Sequence, residues 1–160
     1  MVIFGYSCYI IPMSSQLIQN KKAFFNYEIT EKFTAGVELL GTEVKTLRNK
    51  QGSLDGAYVI VRGGEAYLIG SNIPAHQPKN VSEDFDPKRN RRLLLNKKEI
   101  AVLANASEDK GLTVVPIELY NSGKLIKLSL GIGKGKKKFD KREDIKKRES
   151  NRDIERTLKY

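Results

Sequence analysis

The chain has 160 residues, of which 30% are Asp, Glu, Lys or Arg, and a formal net charge of +10; this length forms one ordinary domain with a real core and no covalent staples. A single cysteine, Cys8, and a single histidine, His76, exclude an intrachain disulfide, a multi-cysteine zinc site and a histidine-based metal cluster. The basic balance implies a polyanionic partner, with nucleic acid first and an anionic membrane surface as its competitor.

The opening "MVIFGYSCYIIP" is apolar, lacks a basic start and a small-residue cleavage site, and is too short to span a bilayer. Met13 is the expected natural start, and residues 1–19 are expected to form a flexible extension. With no export signal and one cysteine, the chain reads as cytoplasmic.

From residue 20 to 133 the dominant signal is a set of short β-branched and aromatic runs punctuated by Gly or Asn. "NYEITEKF" followed by "AGVELLG" predicts a long bent strand. In "TEVKTLRNK", Thr42 is expected to cap a short helix that buries Val44 and Leu47 and turns Lys45 and Arg48 outward. "AYVIVRGGEAYLIG" predicts a hairpin about Gly63 and Gly64. In "LNKKEIAVLANA", Asn96 and Glu99 have capping-box spacing, and Ile100, Leu103 and Ala104 form the apolar stripe. "LTVVPIELYNSGKLIKLSLGI" predicts a second hairpin turning at Asn121, Ser122 and Gly123, with an edge or bulge at Pro116. Five or six short strands are best stabilised by closure. The expected fold is mainly β, an oligonucleotide-binding-like antiparallel β-barrel with a few short helices and a basic C-terminal tail.

Residues 134–160 carry +6 of the +10 net charge, with few large apolar side chains to offset chain entropy. Alone, this tail is expected to be disordered. Acid-first pairs four residues apart, Glu143 with Lys147, Asp144 with Arg148 and Glu155 with Lys159, bring a helix within reach on a partner.

The polar clusters suggest three chemistries. "GIGKGK" suggests a phosphate loop, but no hydroxyl follows Lys136 and no strand-helix-strand unit fits behind it. Gly131, Gly133 and Gly135 are read instead as a hinge between the last strand and the arm. Asp84 and Asp86 in "SEDFDP" lack the further ligands of a hard-cation site, and Asp86-Pro87 reads as a turn opener; a hydrolase built on this pair is the alternative of another class. Nucleic-acid binding draws on recurring basic clusters: Lys21 and Lys22; Lys45 and Arg48; Lys88, Arg89, Arg91 and Arg92; and the tail. Phe24, Phe25 and Phe139 lie beside basic residues where a base could stack, although core burial is favoured for one or both of the first pair.

Four ordered segments, "GTEVKTLR" (41–48), "DPKRNRRLLLNKKEI" (86–100), "GLTVVPIELY" (111–120) and "GKGKKKFDKRED" (133–144), closely resemble the small protein B, or SsrA-binding, family of bacterial trans-translation. The resemblance runs from about Asn20 to the C-terminus. It implies a monomeric, non-enzymatic barrel, without cofactor, that binds the tRNA-like domain of transfer-messenger RNA and delivers it to stalled ribosomes. It also implies a tail that becomes helical in the vacant mRNA channel of the small subunit. RNA contact is expected at Asn20, Lys21, Lys22, Lys45, Arg48, Arg89, Arg91, Arg92 and Leu94. The junction Lys134, Lys136, Lys137, Lys138, Phe139, Asp140, Lys141 and Arg142 is expected to engage the decoding centre. Thr34 stands where the family commonly carries an acidic residue used in RNA recognition, and Phe25 and Phe139 where histidine is frequent. The alternative is a general single-strand-binding or ribosome-associated barrel protein.

Overall fold

The computed structural model describes residues 15–77 and 85–158. The expected start at Met13, the carboxylate Asp84, the pairs Asp144–Arg148 and Glu155–Lys159, and the side chains of Lys138 and Phe139 lie outside the described residues.

The elements in chain order are β1 (Gln16–Gln19), α1 (Ala23–Asn26), β2 (Tyr27–Val37), α2 (Gly41–Arg48), β3 (Tyr58–Arg62), β4 (Glu65–Ile69), β5 (Arg91–Leu94), α3 (Lys97–Glu108), β6 (Leu112–Ser122), β7 (Leu125–Gly135) and α4 (Lys138–Thr157). Antiparallel pairing runs β6-β3-β4-β5-β2-β7, and β7 pairs back onto β6. The expected antiparallel barrel is therefore a closed ring of six strands, which removes most free edges. β1 adds outside the ring along β6, and α3 packs against β6 and β3.

Inward residues alternate along β4 and β5 as the period of two requires, whereas β6 and β7 are buried without alternation over residues 114–117 and 130–133. Val59, Ala66, Leu68, Leu93, Val114, Leu119, Leu128 and Leu130 fill the interior, joined by Leu47 of α2 and Leu103 of α3. The first hairpin forms as its glycines dictate: Gly63 and Gly64 have φ of 61° and 76°, the two left-handed positions of a tight two-residue turn. In the second hairpin the strands continue past the expected turn, since Asn121 pairs with Ile126 and Ser122 with Leu125. The turn is Gly123–Lys124, because Gly123 supplies the positive φ of 62°. The register slips between Pro116 and Glu118, the bulge that a residue without an N–H imposes.

Four expectations are corrected. Residues 16–19 are a strand, with Leu17 and Ile18 buried against β6, so the flexible extension cannot include them. α2 begins at Gly41 rather than after Thr42: the Leu40 N–H donates to Glu43 Oε2 at 2.8 Å, capping the helix from inside its first turn. The glycines of "GIGKG" are not a hinge but ladder residues, Gly131 opposite Lys32, Gly133 opposite Ile29 and Gly135 opposite Tyr27. A Cβ at Gly131 would stand 2.7 Å from Ile29 Cγ2 and 3.1 Å from Glu31 O, and one at Gly133 would stand 3.0 Å from Tyr27 Cβ, so these two positions are small to let β2 and β7 close together. β7 thus ends two residues later than the expected boundary at 133. Beyond β7, Lys138–Thr157 form a helix, opened by the Lys137 N–H donating to Asp140 Oδ2 at 3.2 Å.

α3 starts as its spacing predicts, with the Asn96 N–H donating to Glu99 Oε2 at 2.9 Å. Leu103 and Ala106 are its fully buried side chains, with Ile100 and Ala104 half-buried beside them.

Candidate nucleic-acid interface

The "DPKRNRR" cluster does not present one basic face. Strand alternation over β5 turns Arg91 and Leu93 inward, and Arg92 and Leu94 outward. Arg91 is 0% exposed: its Nη2 donates to Glu43 Oε1 at 2.8 Å and to Pro87 O at 2.9 Å, and its Nη1 to Ser71 Oγ at 2.9 Å and Ser71 O at 3.1 Å. The expected RNA contact at Arg91 is therefore corrected to an interior strut. Arg89 holds the same carboxylate in fork geometry, Nε to Oε1 at 2.9 Å and Nη2 to Oε2 at 2.7 Å, and is only partly exposed.

Burial by itself would raise the Glu43 carboxyl. Hydrogen bonds from Arg89, the Leu40 amide and Arg91, with the Arg91 charge, outweigh it and hold Glu43 below the usual carboxylate range. Burial lowers Arg91 from the ordinary guanidinium value against the pull of Glu43, whereas the Glu43 hydrogen bond raises Arg89.

The outward half of β5 lines an open groove of about 570 Å³. Thr34 and Gly36 of β2 form its floor with Lys127 of β7, Arg92 and Leu94 form one wall, and Asn96 and Lys97 stand at the start of α3. Leu94 is 55% exposed and leans on Gly36, where a Cβ would meet Leu94 Cβ at 3.2 Å. Arg92 pairs with Glu65 at 2.7 Å, and the Tyr67 hydroxyl donates to the same carboxylate at 2.5 Å. That hydrogen bond raises the Tyr67 phenol above its ordinary value, helped by burial. An exposed leucine, a guanidinium and two ammonium groups on one concave surface suit phosphates on one side and sugars or bases on the other. Asn96, Lys97 and Lys127 were not among the expected contacts; "LNKK" signalled only a helix start, and Lys127 reaches the groove through the β2–β7 ladder.

The N-terminal cluster divides in the same way. Asn20 is 6% exposed, its N–H donates to Ile117 O and its Nδ2 to Pro116 O, which anchors the start of the body, while its Oδ1 has no hydrogen-bond partner among the described residues and the residue lines a hollow with Lys22 and Tyr58. Lys21 and Lys22 are exposed, with Lys22 paired to Asp55 at 2.8 Å. Phe24 is exposed beneath Lys32 Nζ, 5.2 Å from the ring centroid, and Phe25 is half-buried, so the residue this turn buries is Ala23. Lys45 and Arg48 occupy the exposed side of α2, and Arg48 Nη2 donates to Lys124 O at 3.4 Å.

At the junction, Lys134 lies on β7 and is exposed, and the Lys136 N–H donates to Asn26 O at 2.9 Å. Lys137, Asp140 and Arg142 are exposed around the first turns of α4, and Lys141 is half-buried. Gly131, Gly133 and Gly135 have no positive φ, so this stretch forms no anion-binding nest. Asp86 Oδ1 accepts the Lys88 N–H at 2.8 Å, the turn its Pro neighbour predicts. His76 Nδ1 lies 3.2 Å from Asn49 Nδ2. Among the described residues, no group of three or more His, Cys, Asp or Glu could hold a metal ion, and no helix is long and apolar enough to cross a membrane.

The family described as SmpB protein matches residues 17–160. The SsrA-binding protein of Microcystis aeruginosa is 47% identical over 143 residues, covering 89% of this chain and 93% of its own length. That of Thermosipho africanus is 48% identical over 141 residues, covering 88% and 94%. A solved chain described as "tmRNA-SmpB: a journey to the center of the bacterial ribosome" superposes with a TM-score of 0.65 at 38% identity, covering 78% of this chain and 87% of that one.

Proposed function

Since this chain belongs to the SmpB family, we propose that it binds the tRNA-like domain of transfer-messenger RNA and delivers it to stalled ribosomes, where incomplete proteins are tagged and released. The observation that carries this reading is the family match itself, which extends through the basic tail. The protein works by binding rather than by catalysis, as a cytoplasmic monomer.

The work divides between two parts. A body, from β1 to the end of β7, holds the RNA through the Leu94 groove with Arg92, and through Lys21, Lys22, Lys45 and Arg48. Arg89, Arg91 and Asn20 keep the shape of that body. An arm from about Lys136 onward, with Lys134 at its root, engages the decoding centre and mRNA channel. Lys137, Lys138, Lys141 and Arg142 supply its charge, Asp140 caps its helix, and Phe139 stacks there. Shape and phosphate contacts dominate because the target is a folded RNA.

Truncation after Lys136 tests the division. The truncated protein is expected to keep its fold and its affinity for transfer-messenger RNA, yet fail to tag nascent chains on stalled ribosomes. Full tagging by the truncated form would refute the role of the arm. Equal affinity for the tRNA-like domain and for an unstructured oligonucleotide of the same length would favour a general single-strand binder.

A further inference from the structure

A second concave surface lies on the outer face of the β3–β4 hairpin, around the barrel wall from the Leu94 groove. Its lining includes Ile60, Arg62, Tyr67, Ile69 and Asn90. Cross-strand register explains the arrangement. Ile60 stands opposite Tyr67, which stands opposite Arg92 on β5, and Tyr58 stands opposite Ile69. The inward partners Val59, Ala66 and Leu68 are buried, so these outward side chains are not needed to fill the core.

The Tyr67 ring is held before any partner arrives. Its hydroxyl donates to Glu65 Oε2, and Glu65 Oε1 accepts from Arg92 at 2.7 Å. That chain neutralises Glu65, the carboxylate of the lining, and restrains the ring, so that less side-chain entropy remains to be lost. An aromatic face flanked by two isoleucines, with an exposed amide at Asn90 and a guanidinium at Arg62, has the parts a nucleobase and its phosphate need. A protein partner would have to cover the Arg62 guanidinium as well as the apolar residues. An unpaired nucleotide satisfies both.

We propose that the outer face of the β3–β4 hairpin, with Tyr67 as stacking platform, binds an unpaired nucleotide of the same RNA that occupies the Leu94 groove. Continuity selects that RNA: Glu65 lines both surfaces, and Arg92, which anchors it, lines the groove. The inference rests on the proposed RNA-binding function.

The test measures affinity of the full chain for the isolated tRNA-like domain, with wild type, Tyr67→Ala and Tyr67→Phe side by side, each checked by thermal unfolding. Tyr67→Ala is expected to bind about ten-fold more weakly, ~1.4 kcal/mol, and Tyr67→Phe within about three-fold of wild type, since the ring survives. A wild type that does not bind this RNA overturns the proposed function itself. Equal binding by wild type and a folded Tyr67→Ala overturns only the new site, as does equal loss in the alanine and phenylalanine variants, which would implicate the hydroxyl. Unchanged affinity for this RNA together with weakened binding to ribosomes overturns the choice of partner. Should Tyr67→Ala not fold, the ring signals of Tyr67 in wild type decide: they shift on RNA addition if the site is real and stay in place if it is not.

Discussion

Glu43 carries two guanidinium groups on one buried carboxylate, and this has a measurable consequence. Glu43→Gln leaves Arg91 enclosed without a counter-charge, and breaking such a buried pair costs about 3–5 kcal/mol; urea unfolding is expected to show a loss of that order. The Glu43 carboxyl lies below its ordinary value of 4.5 in the folded protein. Its contribution is therefore complete above that pH and drains away as pH falls toward the folded value. Unfolding temperature should drop below about pH 4.5 more steeply in wild type than in Glu43→Gln. Little of this was legible in "DPKRNRRLLL", where every cation looks alike and three leucines erase the polar–apolar contrast that would have revealed the strand. Gly131 misled in the opposite direction, because a glycine among lysines resembles a flexible joint. Gly131→Ala, which drives a methyl group to 2.7 Å from Ile29, is expected to cost about 1–3 kcal/mol in the same assay. Gly135→Ala meets nothing within 4 Å and should be nearly neutral.

Among the elements, the two hairpins were legible because their turns carry glycine at positions where only a positive φ fits. β1 and β5 were not, since four residues each give too short a run for periodicity and their burial depends on β6, β4 and β2. The end of β7 matters most for dissecting function. Lys134 pairs with both Glu28 and Leu112, and Gly135 with Tyr27. A chain ending at Gly133 should accordingly unfold at a lower temperature than one ending at Lys136, even though neither retains the arm. α4 shows the reverse relation between sequence and structure. Its acid-first pairs are local and readable, but each adds only ~0.2–0.5 kcal/mol and is screened by salt. A peptide of residues 136–158 should show partial helix by circular dichroism, declining as salt is added.

At the scale of the whole molecule, charge is divided unequally, with +6 of +10 placed in residues 134–160. Each phosphate neutralised contributes roughly 0.7–0.9 to the slope of log affinity against log salt. Removing the arm should flatten that slope for ribosomes far more than for the tRNA-like domain, a comparison that filter binding at several salt concentrations makes directly. The closed ring also determines how the arm is attached. β7 is hydrogen-bonded along its length to β2 on one side and to β6 on the other, and the Lys136 amide adds a last bond to Asn26. A pull on α4 along the strand axis therefore loads two ladders in shear, so that many bonds must fail together rather than open one at a time. The seam that closes the barrel is thus also its tether, able to carry tension from a moving arm into the body without peeling a strand away.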